Sequence, residues 1–252
     1  MNASLSIDAS ECRKSGKKLG LGSSAAASAA AVGGVLASHG QDLTDPAVQR
    51  RVLDLALAGH KAIAPEGSGA DVAAASLGGF VRFQLDDKGA LKQAERVSFP
   101  AHVETRVVWT GKEARTSEFV RAVRAFEARD RSGYATLRDH LKAEAVRFAD
   151  AIAAGDAGEI IAAAASYGRG MGELGQAAGV DIVTAELAQI AELARVHGGA
   201  AKPSGAGGGD VAIAFFQRAS DAQAFDNACD RAGLDRLDMG LGAPGVRVEP
   251  HV

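Results

Sequence analysis

The sequence predicts an α+β protein built in two parts, and three observations lead to this class. Ala-rich and charged stretches that carry apolar residues at helical spacing alternate with short runs rich in β-branched residues. After Trp109 the pattern changes from mixed strands and helices to a long, mainly helical region. The 31 glycines among 252 residues fall in clusters between these elements. Clustered glycine is typical of loops in which the backbone must approach another group closely.

The first elements can be assigned in chain order. Leu5 and Ile7 alternate with polar residues before a turn at Ser15–Gly16, which predicts a short strand and a hairpin. From Ser24 to about His39 almost every residue is small and apolar, and this predicts a closely packed buried helix.

A second helix and two strands complete the first part. Helical spacing of apolar residues over Pro46–Ala58 predicts a helix, with Asp45 or Thr44 as its N-cap and Pro at its first position. Alternation over Val81–Leu85 predicts a half-buried strand, and Arg106–Trp109 predicts another.

The second part begins with a helical region. Residues 119–178 predict helix with breaks, and Thr184 is the expected N-cap of a further helix. The run Val211–Phe215 predicts a strand directly after the last glycine cluster, and Val246 with Val248 predicts a closing strand. We place the boundary near residue 105, which gives domains of residues 1–105 and 106–252.

Composition excludes several classes of protein. With 47% hydrophobic residues, 23% charged residues and a net charge of −3, the chain has no apolar run near the roughly 18 residues that span a bilayer. The N-terminal residues do not follow the order of a signal peptide, so we expect a cytoplasmic protein without a membrane partner. Interspersed charges argue against nucleic-acid binding. Cys12 and Cys229 fit a reducing compartment, and the oligomeric state stays open.

The strongest chemical signal is the run KLGLGSSA over Lys18–Ala25. Glycines let successive backbone N–H groups converge on an anion, and the N-terminus of the following helix adds unpaired donors and a positive dipole. No Gly-Lys-Ser/Thr follows, so a Walker A loop is excluded. Local physics leaves one alternative open, a tight strand-to-helix turn capped by serine.

Two further glycine clusters carry polar groups. The run KPSGAGGGD over Lys202–Asp210 separates a predicted helix from a strand, and ordering three successive glycines costs much backbone entropy. The run GSGAD ends at Asp71, which by itself is more often an N-cap than a catalytic group. A third glycine run, Gly170–Gly175, has dinucleotide-binding spacing but follows a helical stretch rather than a strand, so we set it aside.

Together, the three loops resemble the GHMP kinase superfamily, and within it the phosphomevalonate kinase branch. The same branch is indicated by His60 ahead of the GSGAD run, by Arg82 after the Gly78-Gly79-Phe80 run, and by WTGKEA over Trp109–Ala114. This resemblance covers nearly the whole chain. It implies a ribosomal protein S5 domain 2-like N-terminal part and a ferredoxin-like C-terminal α/β domain.

Members of that superfamily begin with a strand that carries a Pro-Gly-Lys motif and several further strands before the first glycine loop. Here only a short segment precedes the loop, so the resemblance predicts a partial N-terminal domain. Two alternatives remain open at this point: a piece of an active kinase, or a shortened descendant that binds nucleotides or anions without catalysis.

The resemblance implies that ATP and Mg²⁺ are the cofactors and that the γ-phosphoryl group of ATP moves to the phosphate of 5-phosphomevalonate. It implies Asp71 and Lys18 as catalytic residues, with Asp71 orienting and pairing with Lys18. It assigns the ATP phosphates to the first loop, namely Gly20, Leu21, Gly22, Ser23, Ser24 and Ala25, with Ser24 also on the metal. It assigns the acceptor and the transferring group to Ser68, Gly69, Arg82, Lys112, Lys202, Ser204, Gly205, Gly207 and Gly208. A related kinase acting on an alcohol, mevalonate or homoserine, is the rival interpretation.

Overall fold

The computed structural model describes residues 6–114 and 116–249, and these group into two compact units. The first unit contains residues 6–13, 22–98 and 240–249, and the second contains Lys14–Leu21 and Phe99–Met239. The first glycine loop is therefore divided, because Leu21 is the last residue of its segment of the second unit and Gly22 begins the long segment of the first.

A short hairpin precedes the first glycine loop. Its strands are β1 (Arg13–Lys14) and β2 (Lys17–Lys18), joined at Ser15 and Gly16, which both have positive φ. Two successive residues of positive φ are the geometry of a tight hairpin turn, so the turn lies where the sequence predicted it. The predicted strand before it is wrong at Ile7, which lies in no strand, and Leu5 lies outside the described residues.

Three helices and a hairpin form the first unit. The helices are α1 (Ser23–Ser38), α2 (Pro46–Ile63) and α3 (Ala70–Leu77), and the strands are β3 (Phe80–Leu85) and β4 (Leu91–Val97), which pair antiparallel. Asp45 is the N-cap of α2, since its carboxylate accepts a hydrogen bond from Ala47 N at 2.8 Å.

The core of the first unit lies between its helices and one face of the hairpin. Ala25 of α1, Leu53 of α2 and Val72 of α3 are fully buried there, and the small side chains of α1 let the helices approach closely. Val81 and Phe83 pack against this core, so Arg82 and Gln84 point to the opposite face of the hairpin.

The segment after residue 240 corrects one sequence prediction. Val246 packs against buried Leu36 and Leu43 without joining a strand, and only a single bridge links Pro244 to Gly78. A Cβ at Gly78 would overlap the backbone of Gly245. Val246 therefore packs beside α1 while Val248 is exposed, and the alternating pattern could not distinguish this arrangement from a strand.

The second unit contains a four-stranded antiparallel sheet in the order β6-β7-β5-β8. The strands are β5 (Glu104–Trp109), β6 (Ala200–Pro203), β7 (Val211–Phe216) and β8 (Asp235–Leu237). Helices α4 (Thr116–Arg129), α5 (Arg131–Ala154), α6 (Ala157–Ala178) and α7 (Ala185–Val196) connect β5 to β6, and α8 (Ala219–Arg231) connects β7 to β8. This is the ferredoxin-like βαββαβ order, as the sequence predicted.

Helices cover both faces of this sheet. α7 and α8 bury Val108, Ala212 and Phe216 on one face, while α5 and α6 bury Phe215 on the other. Thr184 caps α7 through its hydroxyl, which accepts from Leu187 N at 3.4 Å. Among the described residues, no helix has both the length and the apolar character to cross a bilayer.

One ion pair is buried between β5 and α8. Asp226 is 5% exposed and accepts two hydrogen bonds from Arg106 Nε, at 3.1 and 2.9 Å. Arg236 of β8 lies 3.4 Å from the same carboxylate. Removal of either partner would leave the other charge partly buried and less well compensated, which is unfavourable. The pair therefore stabilises the position of α8 on the sheet.

We expect Asp226→Ala to lower the free energy of unfolding by about 3 kcal/mol, because it removes the buried carboxylate of the pair and leaves the half-buried Arg106 guanidinium with only the more exposed Glu104. The matched control is Asp230→Ala on the same helix, where the carboxylate is 58% exposed and the expected loss is below about 1 kcal/mol. Urea unfolding measures both. Equal losses would contradict the assignment of Asp226 as the buried anchor.

Candidate active site

Three loops of the second unit meet at the end of its sheet. They are the segment after β2, the segment Thr110–Ala114 after β5, and the glycine-rich loop Gly205–Asp210 before β7. Lys18 N donates to Glu113 Oε1 at 2.6 Å, and Lys17 Nζ donates to the Gly111 carbonyl at 3.0 Å. The start of the first glycine loop is thereby fixed to the segment after β5.

Asp210 joins these loops. Its backbone N donates to Lys112 O at 2.7 Å, its carbonyl accepts from Thr110 N at 2.9 Å, and its carboxylate accepts from Ala114 N at 3.0 Å. A Cβ at Gly20 would overlap the Asp210 side chain, so this position of the first glycine loop has room only for glycine. Burial raises the pKa of Asp210, opposed by the hydrogen bond from Ala114 N.

The glycines of the glycine-rich loop Gly205–Asp210 have two different roles. A Cβ at Gly207 would overlap Ile182, one at Gly208 would overlap the Phe119 ring, and one at Gly209 would lie 2.9 Å from Lys112 O. These three glycines allow close packing of the protein on itself. Gly205, with φ +64, faces open space, so it is the position in this loop where the bare backbone is available to a ligand.

The first unit carries the other half of the first glycine loop. Gly22 has φ +76 and is the N-cap of α1, whose first turn receives no side-chain cap. A Cβ at Gly22 would lie 3.1 Å from the Asp71 Cβ, which places this carboxylate beside the N-terminus of α1. The hydroxyls of Ser23 and Ser24 occupy the same turn. Free N–H donors and the helix dipole make this end suited to a phosphate group.

The remaining residues predicted to bind in the first unit are less closely assembled. Gly69, the N-cap of α3 with φ +85, packs against Leu57, and the Ser68 hydroxyl accepts from Ala70 N at 3.3 Å. Arg82 lies opposite Glu95 in the β3–β4 register. These positions are consistent with local structural roles, and their predicted contacts with the acceptor stay predictions.

Lys112 has a partner within its own unit. Its Nζ lies 2.5 Å from Glu186 Oε1, at the start of α7. The hydrogen bond from Lys112 lowers the pKa of Glu186 to about 2. This ion pair links the segment after β5 to α7, so the positive charge of Lys112 is already engaged by a carboxylate.

Lys202 is in a different situation. It is half-buried on β6, its Nζ lies 5.4 Å from the centre of the Tyr167 ring, and burial lowers its pKa to about 8. In the part of the chain that the structure describes, no carboxylate forms an ion pair with it. Its charge is therefore not neutralised by a carboxylate of the described residues, and its predicted contact with the acceptor stays a prediction.

The structure thus assembles the predicted residues in two sets. The second unit contains Lys18, Gly20, Leu21, Lys112, Lys202, Ser204, Gly205, Gly207 and Gly208. The first unit contains Gly22, Ser23, Ser24, Ala25, Ser68, Gly69, Asp71 and Arg82. The pairing of Lys18 with Asp71 stays a prediction.

Three contributing residues escaped the sequence reasoning. Asp210 ends the glycine-rich loop Gly205–Asp210, and its positive φ of 53°, unusual for a non-glycine residue, is visible only in the structure. Tyr167 on α6 and Glu186 on α7 lie outside the motifs of the sequence, so no local signal could have found them. The set-aside run Gly170–Gly175 lies within α6, where a Cβ at Gly175 would lie 2.7 Å from the Val180 carbonyl oxygen, so these glycines serve helix packing.

Two models of known protein families match parts of this chain. Residues 13–79 match the GHMP kinases N terminal domain, and residues 148–234 match the GHMP kinases C terminal family. The chain therefore belongs to the GHMP kinase family.

One curated protein shows which member of the family this chain is similar to. The chain is 31% identical to the phosphomevalonate kinase of Streptomyces sp. (strain CL190), over 82% of this chain and 59% of that protein. It thus spans about three fifths of the length of this curated relative.

Two solved structures share the fold. The Lin0012 protein from Listeria innocua superposes with a TM-score of 0.83 at 27% identity, covering 91% of this chain and 69% of that one. Phosphomevalonate kinase of Streptococcus pneumoniae, solved in complex with phosphomevalonate and AMPPNP, gives a TM-score of 0.76 at 24% identity, covering 90% and 70%.

We expect Gly208→Ala to lower the free energy of unfolding by about 3 kcal/mol, because a positive φ and overlap with the Phe119 ring act together. Gly205→Ala is the matched control: its φ is also positive but its surroundings are open, so the expected loss is about 1 kcal/mol. Urea unfolding of both variants checks this. If the two losses are the same, packing is not what requires glycine at position 208.

Proposed function

We propose that the chain catalyses phosphoryl transfer from ATP to 5-phosphomevalonate, giving 5-diphosphomevalonate and ADP. The bond from the γ-phosphorus to the bridging oxygen of ATP breaks, and a bond from that phosphorus to an oxygen of the acceptor phosphate forms. The observation that carries the choice of a phosphate acceptor is Lys202, a half-buried cation at the start of the glycine-rich loop without a carboxylate partner among the described residues. Membership of the GHMP kinase family and 31% identity to a phosphomevalonate kinase support it.

A phosphate acceptor decides what the site has to do. Its second pKa is about 6, so at pH 7 the attacking oxygen is already largely ionised and needs no strong general base. The main task is to align two polyanions and offset their repulsion. The uncapped N-terminus of α1 supplies donors for the ATP phosphates, and the backbone at Gly205 supplies an open approach for the acceptor.

In this proposal Lys18 stabilises the transferring group and Asp71 orients the site. Asp71 lies beside Gly22 at the start of α1, which suits a carboxylate that positions other groups. An alcohol acceptor would instead need a base, and Asp71 would then have to act as one or help to generate it.

Magnesium accompanies the nucleotide in the proposed reaction, where it neutralises phosphate charge. The residues at the start of α1 fit such an ion: the Asp71 carboxylate lies beside Gly22, where a Cβ would lie 3.1 Å from the Asp71 Cβ, and hydroxyl and carboxylate oxygens are the ligands that Mg²⁺ prefers. Ser24 would supply a hydroxyl oxygen to it.

An acceptor panel tests the reaction. ADP release with phosphomevalonate, mevalonate and homoserine is measured under identical conditions, and we expect turnover with phosphomevalonate to exceed that with either alcohol. A preference for an alcohol would overturn the choice of acceptor. If calorimetry detects no ATP binding, the proposal of a kinase fails for this chain, and a module that binds other anions replaces it.

We expect Asp71→Asn and Lys18→Met each to reduce turnover by roughly a hundredfold or more, because both remove a charge that organises the phosphates. Circular dichroism and urea unfolding should stay close to the parent protein. Asp54→Asn, which breaks an exposed pair with Arg50, and Lys88→Met in the turn between β3 and β4 are controls with unchanged turnover. A variant that keeps a near-normal rate would remove its residue from the mechanism.

A further inference from the structure

The position of the Lys202 ammonium is set by two neighbours in the second unit. Its Nζ lies 5.4 Å from the centre of the Tyr167 ring and donates a hydrogen bond to the Pro203 carbonyl oxygen at 3.1 Å. Next to Tyr167 on α6 is Gly168, where a Cβ would lie 3.4 Å from the Lys202 Cβ. Close packing of α6 on β6 thus places the aromatic ring against this ammonium group.

Two other cations of the unit have carboxylate partners, since Arg106 pairs with Asp226 and Lys112 pairs with Glu186. The Lys202 ammonium has only a carbonyl oxygen and an aromatic face in the described part of the chain. Burying a charge is unfavourable unless it is compensated, and an aromatic face compensates it only in part. The lowered pKa of Lys202 agrees with that incomplete compensation. A dianionic ligand would complete it.

We propose that Tyr167 is a positioning residue that holds the Lys202 ammonium for the phosphate of a phosphorylated acceptor, and that this pair selects such acceptors over alcohols. The inference rests on the proposed function, because it takes Lys202 to contact the acceptor. Lys202 lies two residues before Ser204, and Gly205 with its open backbone follows directly.

Selection follows from charge. A phosphate monoester brings nearly two negative charges to the ammonium at pH 7, whereas a hydroxyl brings none, so only the phosphate gains from an unneutralised cation. The ring acts through Lys202 and not on the anion, since the negative face of an aromatic ring attracts cations. The aromatic face is therefore what matters at position 167, and the phenolic hydroxyl is dispensable.

Calorimetry with phosphomevalonate and with AMPPNP separates this role from a general structural one. We expect Tyr167→Leu to weaken phosphomevalonate binding about tenfold and to leave AMPPNP binding unchanged. Tyr167→Phe keeps the ring and should stay within about twofold of the parent protein. The control is Tyr134→Leu, which removes the chain's other tyrosine, over whose ring Arg138 lies at 5.9 Å. We expect it to leave both affinities unchanged.

A graded series tests the aromatic face directly. Phenylalanine with one, two and three ring fluorines at position 167 has nearly constant shape and a progressively weaker ring quadrupole, so acceptor affinity should fall stepwise along the series. A flat series, or a Tyr167→Leu variant that binds phosphomevalonate normally, would overturn the proposal.

Methyl phosphate as a probe separates failure of this inference from failure of the proposed function. In the parent protein and in Tyr167→Phe, methyl phosphate should shift the NMR signals of the Lys202 side chain, and the shift should be weaker in Tyr167→Leu. That result without turnover of phosphomevalonate supports the Tyr167–Lys202 anion site and rejects the proposed reaction. Lys202 signals that do not respond to methyl phosphate overturn the inference even if the chain is a phosphomevalonate kinase.

Discussion

The hydrogen bonds of Asp210 connect the segments around the candidate site in the second unit. Two other stretches of chain converge on this one residue: its backbone pairs with Thr110 and Lys112, and its side chain packs over Gly20. Backbones that approach so closely leave no space for a Cβ, and the left-handed conformation at Asp210 itself is part of that geometry. Gly20 and Gly209 lie at this convergence, where a Cβ would meet the Asp210 side chain and the Lys112 carbonyl oxygen respectively.

The cations of the second unit differ in the groups that neutralise their charge. Buried or half-buried cations that support the fold are neutralised internally, as Arg106 is by Asp226 across β5 and α8. Lys112 is exposed, and Glu186 engages it at the start of α7. Lys202 differs in having an aromatic ring where the others have a carboxylate. Of the cations that the resemblance assigned to the acceptor, Lys112 therefore has a carboxylate partner, and Lys202 has none among the described residues.

Much of the fold could be predicted from local patterns. The helices over Ser23–Ser38 and Pro46–Ile63, and the strand over Val211–Phe216, follow from periodicity and caps that operate within a few residues. Two predictions near the ends of the chain were wrong for one reason. Ile7 and Val246 lie in alternating patterns that resemble strands, but a strand needs a partner at the correct distance, and neither residue has one.

By itself the sequence determined the family, the order of the elements and the three glycine loops, because these depend on residue type and spacing along the chain. Only the tertiary structure decided what each loop residue does. It showed that Gly208 makes room for Phe119 while Gly205 faces open space, and that Lys112 is paired while Lys202 rests against Tyr167. These distinctions depend on neighbours far apart in the sequence, and no local pattern encodes which side chain will arrive there.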